Sequence, residues 1–348
     1  MPDSSTLLPP VEPPPARQRP ASLPRKLKTA VRNAPPQLVA GILLAVTVAV
    51  VCFFLLFDLK GNVGYILPRR AIKVAAMLLV AVAVGVSTLL FQTVTANRIL
   101  TPSIMGFDSL YILVQTVLAF TLGAAAVVAA PPTLQFGVEV LLMVVFSALL
   151  YRWMFTGATR SLHLLLLVGV VLGSLFRGLS SLLQRLMEPS EFIILQDLFF
   201  ASFNNVDPAL LGVSAGIVAV VCAVVWRARH TLDVLALGRD VAINVGVDHG
   251  KVVMRVLLGC SLLVAVSTAL VGPVTFFGLL VVSLGYQLCR GFSHSWLLPI
   301  VVLIGAVALV GGQLLLEQVF GFSTALSVVI EFTGGILFLY LLLKGSLK

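Results

Sequence analysis

The sequence predicts an all-α integral membrane protein of about ten transmembrane helices, on three observations. Of its 348 residues 59% are hydrophobic and only 11% charged, with a mean hydropathy of +1.09, well outside the range of soluble domains. Apolar runs of about 20 residues, each able to cross roughly 30 Å of hydrocarbon, recur from residue 37 onward. The Lys and Arg residues fall between those runs, not along a basic stripe with interleaved aromatics. The net charge of +9 therefore marks topology and not nucleic-acid binding.

The chain opens with a Pro- and Arg-rich tail, residues 1–36, whose composition cannot bury a core and predicts disorder. The first apolar run begins too late, and is too long, for a secretory signal. Spans are expected at 37–57, 71–91, 108–129, 134–151, 163–186, 208–226, 252–271, 275–289, 296–316 and 325–343, so that residues 37–348 form one polytopic domain. The run 192–203 is too short to cross, contains Asp197, and reads as an interfacial or half-inserted helix. Cys52, Cys222, Cys260 and Cys289 lie in or beside apolar runs without C-x-x-C spacing, which indicates packing residues and neither a disulfide framework nor a zinc site.

Even-numbered spans put both termini on one side. With the N-terminus inside, seventeen Lys and Arg fall within, against six (Lys60, Arg69, Arg70, Lys73, Arg177 and Arg185) outside. That bias predicts cytoplasmic termini. The longest charged stretch, part of the loop 227–251, then also faces the cytoplasm. Within it Gly238 and Gly246 bracket Val241–Val245, long enough for about two helical turns, with Asp240 in the first turn where the helix dipole favours a negative charge. Taken alone, this stretch is either a small amphipathic knob on the membrane surface or a basic loop that orients its neighbours.

No catalytic residue is expected. There is no G-x-x-x-x-G-K-[ST]; Gly250-Lys251 is followed by Val252, which offers no hydroxyl to magnesium, so the chain cannot hydrolyse ATP by itself. H-E-x-x-H is also missing from the sequence. His163, His230, His249 and His294 are scattered at membrane borders, as interfacial histidines and not metal ligands. Charges inside spans are more telling, since each costs about 2.5–3.5 kcal/mol at a helix centre. Arg177, Glu139 and Glu331 are the candidates. Together they admit a secondary transporter with an ion or proton relay as a rival reading.

The motifs tip the balance. Leu235-A-L-G-R-D-V-A-I-N-V-G-Val247 is similar to the coupling loop L-x-L-G-(E/R)-x-(V/A)-A-x-x-L-G-V of the FecCD/BtuC-like permeases of bacterial ABC importers, the iron-siderophore and vitamin B12 type. Gln92-T-V-T-A-Asn97-R-I-L-T-Pro102-S-I-M-Gly106 keeps the family's Q-x-x-x-x-N-P-L-A-x-P-x-x-L-G spacing with Arg98 in place of proline. Leu67-Pro68-Arg69 resembles R-L-P-R, with Ile66 replacing the first arginine. Val271-G-P-V-T-F-F-G-Leu279 resembles A-G-P-I-x-F-V-G-L, but Val282, Ser283 and Tyr286 stand where P-H-x-x-R should follow. The ending with Gly334, Phe338 and Lys344 resembles the iron-chelate branch.

The resemblance, over about residues 62–344, implies a type II ABC importer permease fold in the bacterial cytoplasmic membrane and a ferric siderophore as cargo. It implies a second permease copy or paralogue, two ATP-binding subunits and an extracytoplasmic substrate-binding protein as partners. No cofactor is implied for this chain, because the partner subunits use the ATP. By the same resemblance, Leu237, Gly238, Arg239, Asp240, Val241, Ala242, Gly246 and Val247 couple to the ATPase and Arg69 and Arg70 dock the binding protein. Asn97, Arg177 and Gln184 fall to the translocation path. The branch-like ending and the departure from P-H-x-x-R favour a heterodimer.

Overall fold

The centre of the molecule is α2 (Val63–Thr95), the longest helix. Its most apolar stretch is 78% buried, against 11% in α8 (Pro208–Arg227) at the periphery. Small residues make this possible: Ala76, Ala81, Ala83, Gly85 and Ser87 let neighbouring helices approach closely, which is what holds helices together in lipid. Helices α11 (His249–Val271) and α13 (His294–Val319) pack along α2, and a Cβ on Gly85 would meet Val301 of α13 at 3.0 Å.

The computed structural model describes residues 35–57, 63–156, 162–204, 206–289, 293–319 and 326–343, so the tail through residue 34 and Lys344 lie outside the described residues. The remaining helices are α1 (Pro36–Leu56), α3 (Phe107–Leu122), α4 (Ala124–Ala129), α5 (Pro132–Thr156), α6 (Leu162–Leu186), α7 (Pro189–Leu198), α9 (Arg229–Leu235), α10 (Arg239–Asn244), α12 (Phe277–Leu288) and α14 (Leu326–Leu343). Among the described residues there is no strand. Asp207 caps α8 by accepting from Ala209 N–H at 2.7 Å, and Asp248 caps α11 by accepting from Lys251 N–H at 3.2 Å. The short helix α7 occupies the run expected to be interfacial.

All ten expected spans contain a helix, but among the described residues only seven helices are long and apolar enough to cross a membrane; 108–129, 275–289 and 325–343 hold shorter apolar ones. Three expectations need correction. The span 108–129 is broken at Gly123, whose φ of 87° ends α3 after sixteen residues. The span 275–289 holds only the twelve residues of α12, about 18 Å of helix. The two have different causes: α3 starts where expected and ends early at Gly123, whereas α12 starts late because the link 272–276 runs through the interior, as does the turn 101–106 before α3. Thr101, Pro102, Met105, Phe107, Val271 and Val274 are buried there. The irregular link 272–276 and the 3₁₀ turn Pro102–Met105 are tolerated at that depth because protein, not lipid, surrounds them. The third correction concerns Cys52, which is exposed on the outer surface of α1 and not packed inside.

The two ends of the bundle are fixed by polar contacts. At one end Lys73 of α2 meets Glu317 of α13 at 2.7 Å, and Gln313 donates to the same carboxylate at 2.8 Å. At the other, Thr93 of α2 meets His294 of α13. These contacts make α2 and α13 antiparallel. Both side chains of the Lys73–Glu317 pair are largely buried, so Glu317→Ala strands a lysine and is expected to cost about 3 kcal/mol. A thermal unfolding midpoint of the purified chain that did not move would contradict this.

Candidate functional site

At the end of the bundle marked by Thr93 and His294, the chain leaves α8 and forms two short helices before re-entering as α11. Gly238 (φ 104°) and Gly246 (φ 92°) bound α10, both in backbone conformations that a side chain resists. Ala242 is fully buried and its carbonyl accepts from Val247 N–H at 2.9 Å, which anchors one side of the helix. The other side is exposed: Leu237, Val241, Ile243 and Val245 project outward, together with Arg239 and Asp240. Lys251 pairs with Asp248 at 2.9 Å, and this hydrogen bond holds the Asp248 carboxyl below the ordinary carboxylate range.

Helix α9 ties this surface to the core. Asp233 Oδ1 accepts the backbone N–H of His294 at 2.7 Å and also meets its ring Nδ1 at 2.7 Å. The other ring nitrogen lies 2.9 Å from Thr93 Oγ1, whose hydroxyl donates to the Leu89 carbonyl. Asp233 thus caps α13 while His294 bridges α9 to α2. His294 is only 2% exposed, which corrects its reading as an interfacial histidine. Beside it, the Arg98 guanidinium stacks over Tyr286 at 4.8 Å.

A second polar group centres on Asp108, with Arg177 and Glu331 on exposed faces of α6 and α14. The hydroxyls of Ser103 and Thr275 approach the Asp108 carboxylate, and Thr275 also approaches Glu331 of α14. The Arg177 guanidinium, on an exposed face of α6, is close enough for its charge to act on Asp108. The turn that carries Asp108 is seated on α6 by glycines: a Cβ on Gly106 would meet the Cα of Gly173 at 2.9 Å, and one on Gly169 the Cα of Met105 at 3.0 Å.

The residues singled out from the sequence do not converge on one site. Arg177 stands with Glu331 and Asp108, but Glu139 does not join them; it is buried and accepts from Gln115 at 2.6 Å between α3 and α5. Gln184 lies two helical turns beyond Arg177 on α6 and donates to Thr116 of α3 at 3.1 Å. Asn97 closes the turn after α2 by accepting from Ile99 N–H at 3.0 Å. At the opposite end of α2, Arg69 is exposed and stacks on Tyr65, whereas Arg70 turns back onto α1 and donates to the carbonyls of Phe54, Leu55 and Phe57. Missed from the sequence were Asp108, Asp233, Thr275 and the pairing of His294. For Asp108 a signal existed, an acid opening an apolar run directly after Pro102 and Gly106; Asp233 and His294 are 61 residues apart.

A lipid-embedded helical bundle with unwound links meeting in its interior, and an exposed short helix held out at one end, defines a multi-pass transport permease. The FecCD transport family profile matches residues 42–344. The petrobactin import system permease protein YclO of Bacillus subtilis (strain 168) is 50% identical over 307 residues, 88% of this chain and 97% of that one. The petrobactin import system permease protein FatC of Bacillus anthracis is 37% identical over 279 residues, 80% of this chain and 79% of that one. A solved structure, assigned to the metal-chelate type of ABC transporter in an inward-facing conformation, shares the fold with a TM-score of 0.78 at 21% identity, covering 89% of this chain and 100% of that one. The chain belongs to the FecCD transport family.

Proposed function

We propose that this chain is the membrane-spanning subunit of an ATP-driven importer carrying a ferric siderophore inward across the bacterial cytoplasmic membrane, with both termini in the cytoplasm. The cargo follows from relatives named for petrobactin import at 50% and 37% identity. The observation that carries the energy coupling is the surface at α10: Val241 and Ile243 exposed on the helix and Leu237 and Val245 exposed beside it, next to Arg239 and Asp240, on a segment too short to enter lipid. An apolar surface held in water between glycines suits a soluble partner, here the ATP-hydrolysing subunit. Two such subunits, a second permease and an extracytoplasmic binding protein complete the assembly, with exposed Arg69 available to an acidic lobe of the binding protein. No bond is made or broken in this chain; closure of the ATPases displaces α10, and α9 passes the movement to α2 and α13 through Asp233 and His294.

Val241 and Val245 are exposed, so converting both to Asp is expected to leave the bundle folded and to abolish co-purification with the ATPase and ATP-dependent uptake in proteoliposomes. Retained co-purification at wild-type yield would remove α10 from the interface. Uptake by the wild-type chain without any ATPase would favour the ion-driven rival instead.

A further inference from the structure

Where the links 101–106 and 272–276 meet, they close a small chamber with α2 and α11. Asp108 borders it, together with the hydroxyl residues Ser87, Thr88, Ser103, Ser267, Thr268 and Thr275. The chamber leaves a water-sized body about 10 Å³ in which to place its centre, room for a single water or one bare monovalent ion. Three features give this space a chemical character.

The first is one oxygen of the carboxylate that the Ser103 and Thr275 hydroxyls approach but leave unsatisfied. Asp108 Oδ2 is fully buried and has no hydrogen-bond partner among the described residues. A buried carboxylate left in that condition is strongly unfavourable unless a positive charge or a proton reaches it. The second is the direction of the hydroxyl protons. Ser87 donates to the Val84 carbonyl at 3.1 Å and Ser267 to the Val264 carbonyl at 3.0 Å, so each turns lone pairs, not a proton, toward other neighbours. The third is charge. Among the described residues the one cation whose charge reaches Asp108 is Arg177, and it stands on an exposed face of α6, so no buried cation faces the carboxylate. Hard oxygen atoms around a carboxylate beside unwound backbone form the donor set that alkali cations take inside membranes. A divalent ion is disfavoured: one carboxylate borders the chamber, and among the described residues no group of three His, Cys, Asp or Glu could hold a metal.

We propose that this chamber binds one monovalent cation, Na⁺ by its size, with Asp108 supplying the charge and Ser87 and Ser267 supplying neutral oxygen ligands. The bound ion compensates the Asp108 carboxylate and ties the start of α3 to α2 and α11 beside the 101–106 turn and the 272–276 link. The site is independent of which chelate the permease carries, and its test requires no transport.

The test is equilibrium binding of radioactive sodium to the purified full-length chain in detergent, alongside thermal unfolding in sodium chloride and in choline chloride of equal ionic strength. Saturable binding near one ion per chain is expected, with a midpoint that rises with sodium and not with choline. Asp108→Asn is expected to abolish both effects, and Ser267→Ala to weaken binding about tenfold, the equivalent of 1.4 kcal/mol. Should Asp108→Asn fail to fold, the wild-type isotherm and Ser267→Ala decide the matter. No saturable sodium binding by the wild type overturns the proposal, as does binding unaltered in both variants. A midpoint that follows pH but ignores sodium also overturns it, by assigning the chamber to a proton.

Discussion

Asp233→Ala is expected to lower the thermal midpoint of the purified chain and to cut ATP-dependent uptake sharply. The carboxylate does two jobs at once: it caps the N-terminus of α13 through the His294 N–H and holds the imidazole through Nδ1. Loss of a cap and of the partner of a buried ring nitrogen together costs about 2–4 kcal/mol. Asp233→Asn keeps an acceptor for the cap and is expected to cost only about 1 kcal/mol, since it surrenders the charge alone. Thr93→Val, which removes the contact of the second ring nitrogen, is expected to fall in the same milder range. A structural role alone would let uptake track the midpoint across the three variants. Transmission from α9 to α2 predicts that Thr93→Val loses more uptake than its midpoint explains. Uptake proportional to folded protein in every case would reduce this trio to a brace.

The second large effect is expected at the crossing of the 101–106 turn and α6. Gly106 has a φ of 90°, and a Cβ there would stand 2.9 Å from the Cα of Gly173, a backbone atom with no freedom to retreat. Gly106→Val therefore combines a disfavoured backbone conformation with overpacking, together about 3 kcal/mol or more. Gly173→Val meets the same obstacle from the other side, at 3.0 Å. Little properly folded protein is expected from either variant by size-exclusion chromatography. Gly212→Ala and Gly216→Ala, where an added Cβ meets nothing within 4 Å, are the matched controls and should behave as wild type. Normal yields from Gly106→Val would mean that the turn does not seat on α6.

How much of this was legible in the sequence varied with the kind of signal. Hydropathy located every long helix, because lipid solubility is a property of composition. It could not say where a helix stops, so α3 was carried past Gly123, nor where one starts in depth, so α12 was assigned more length than it has. The cues were Gly123 for α3 and Gly272 and Pro273 for α12; the latter two sit inside a recognisable motif but do not reveal on their own that the backbone is buried. The helix α10 was readable because two glycines with positive φ punctuate it and the charge pattern sets it apart from lipid. The Asp233–His294–Thr93 chain was not, since it joins three helices far apart in sequence. Arg70 illustrates a further limit: a basic residue at a helix end looks the same whether it faces a partner or, as here, folds back onto carbonyls.

That fold-back bears on how the protein is made. Only Val39, Thr47 and Phe54 of α1 are buried, and its chief neighbour is α13, which emerges from the ribosome long after it. During most of translation the first helix has no companion to pack upon except the one that follows it. The Arg70 clasp on its last carbonyls moors it there, so that the late-arriving helix finds its berth already in position. The order of insertion into the bilayer is thereby reconciled with an architecture in which α1 and α13 are neighbours.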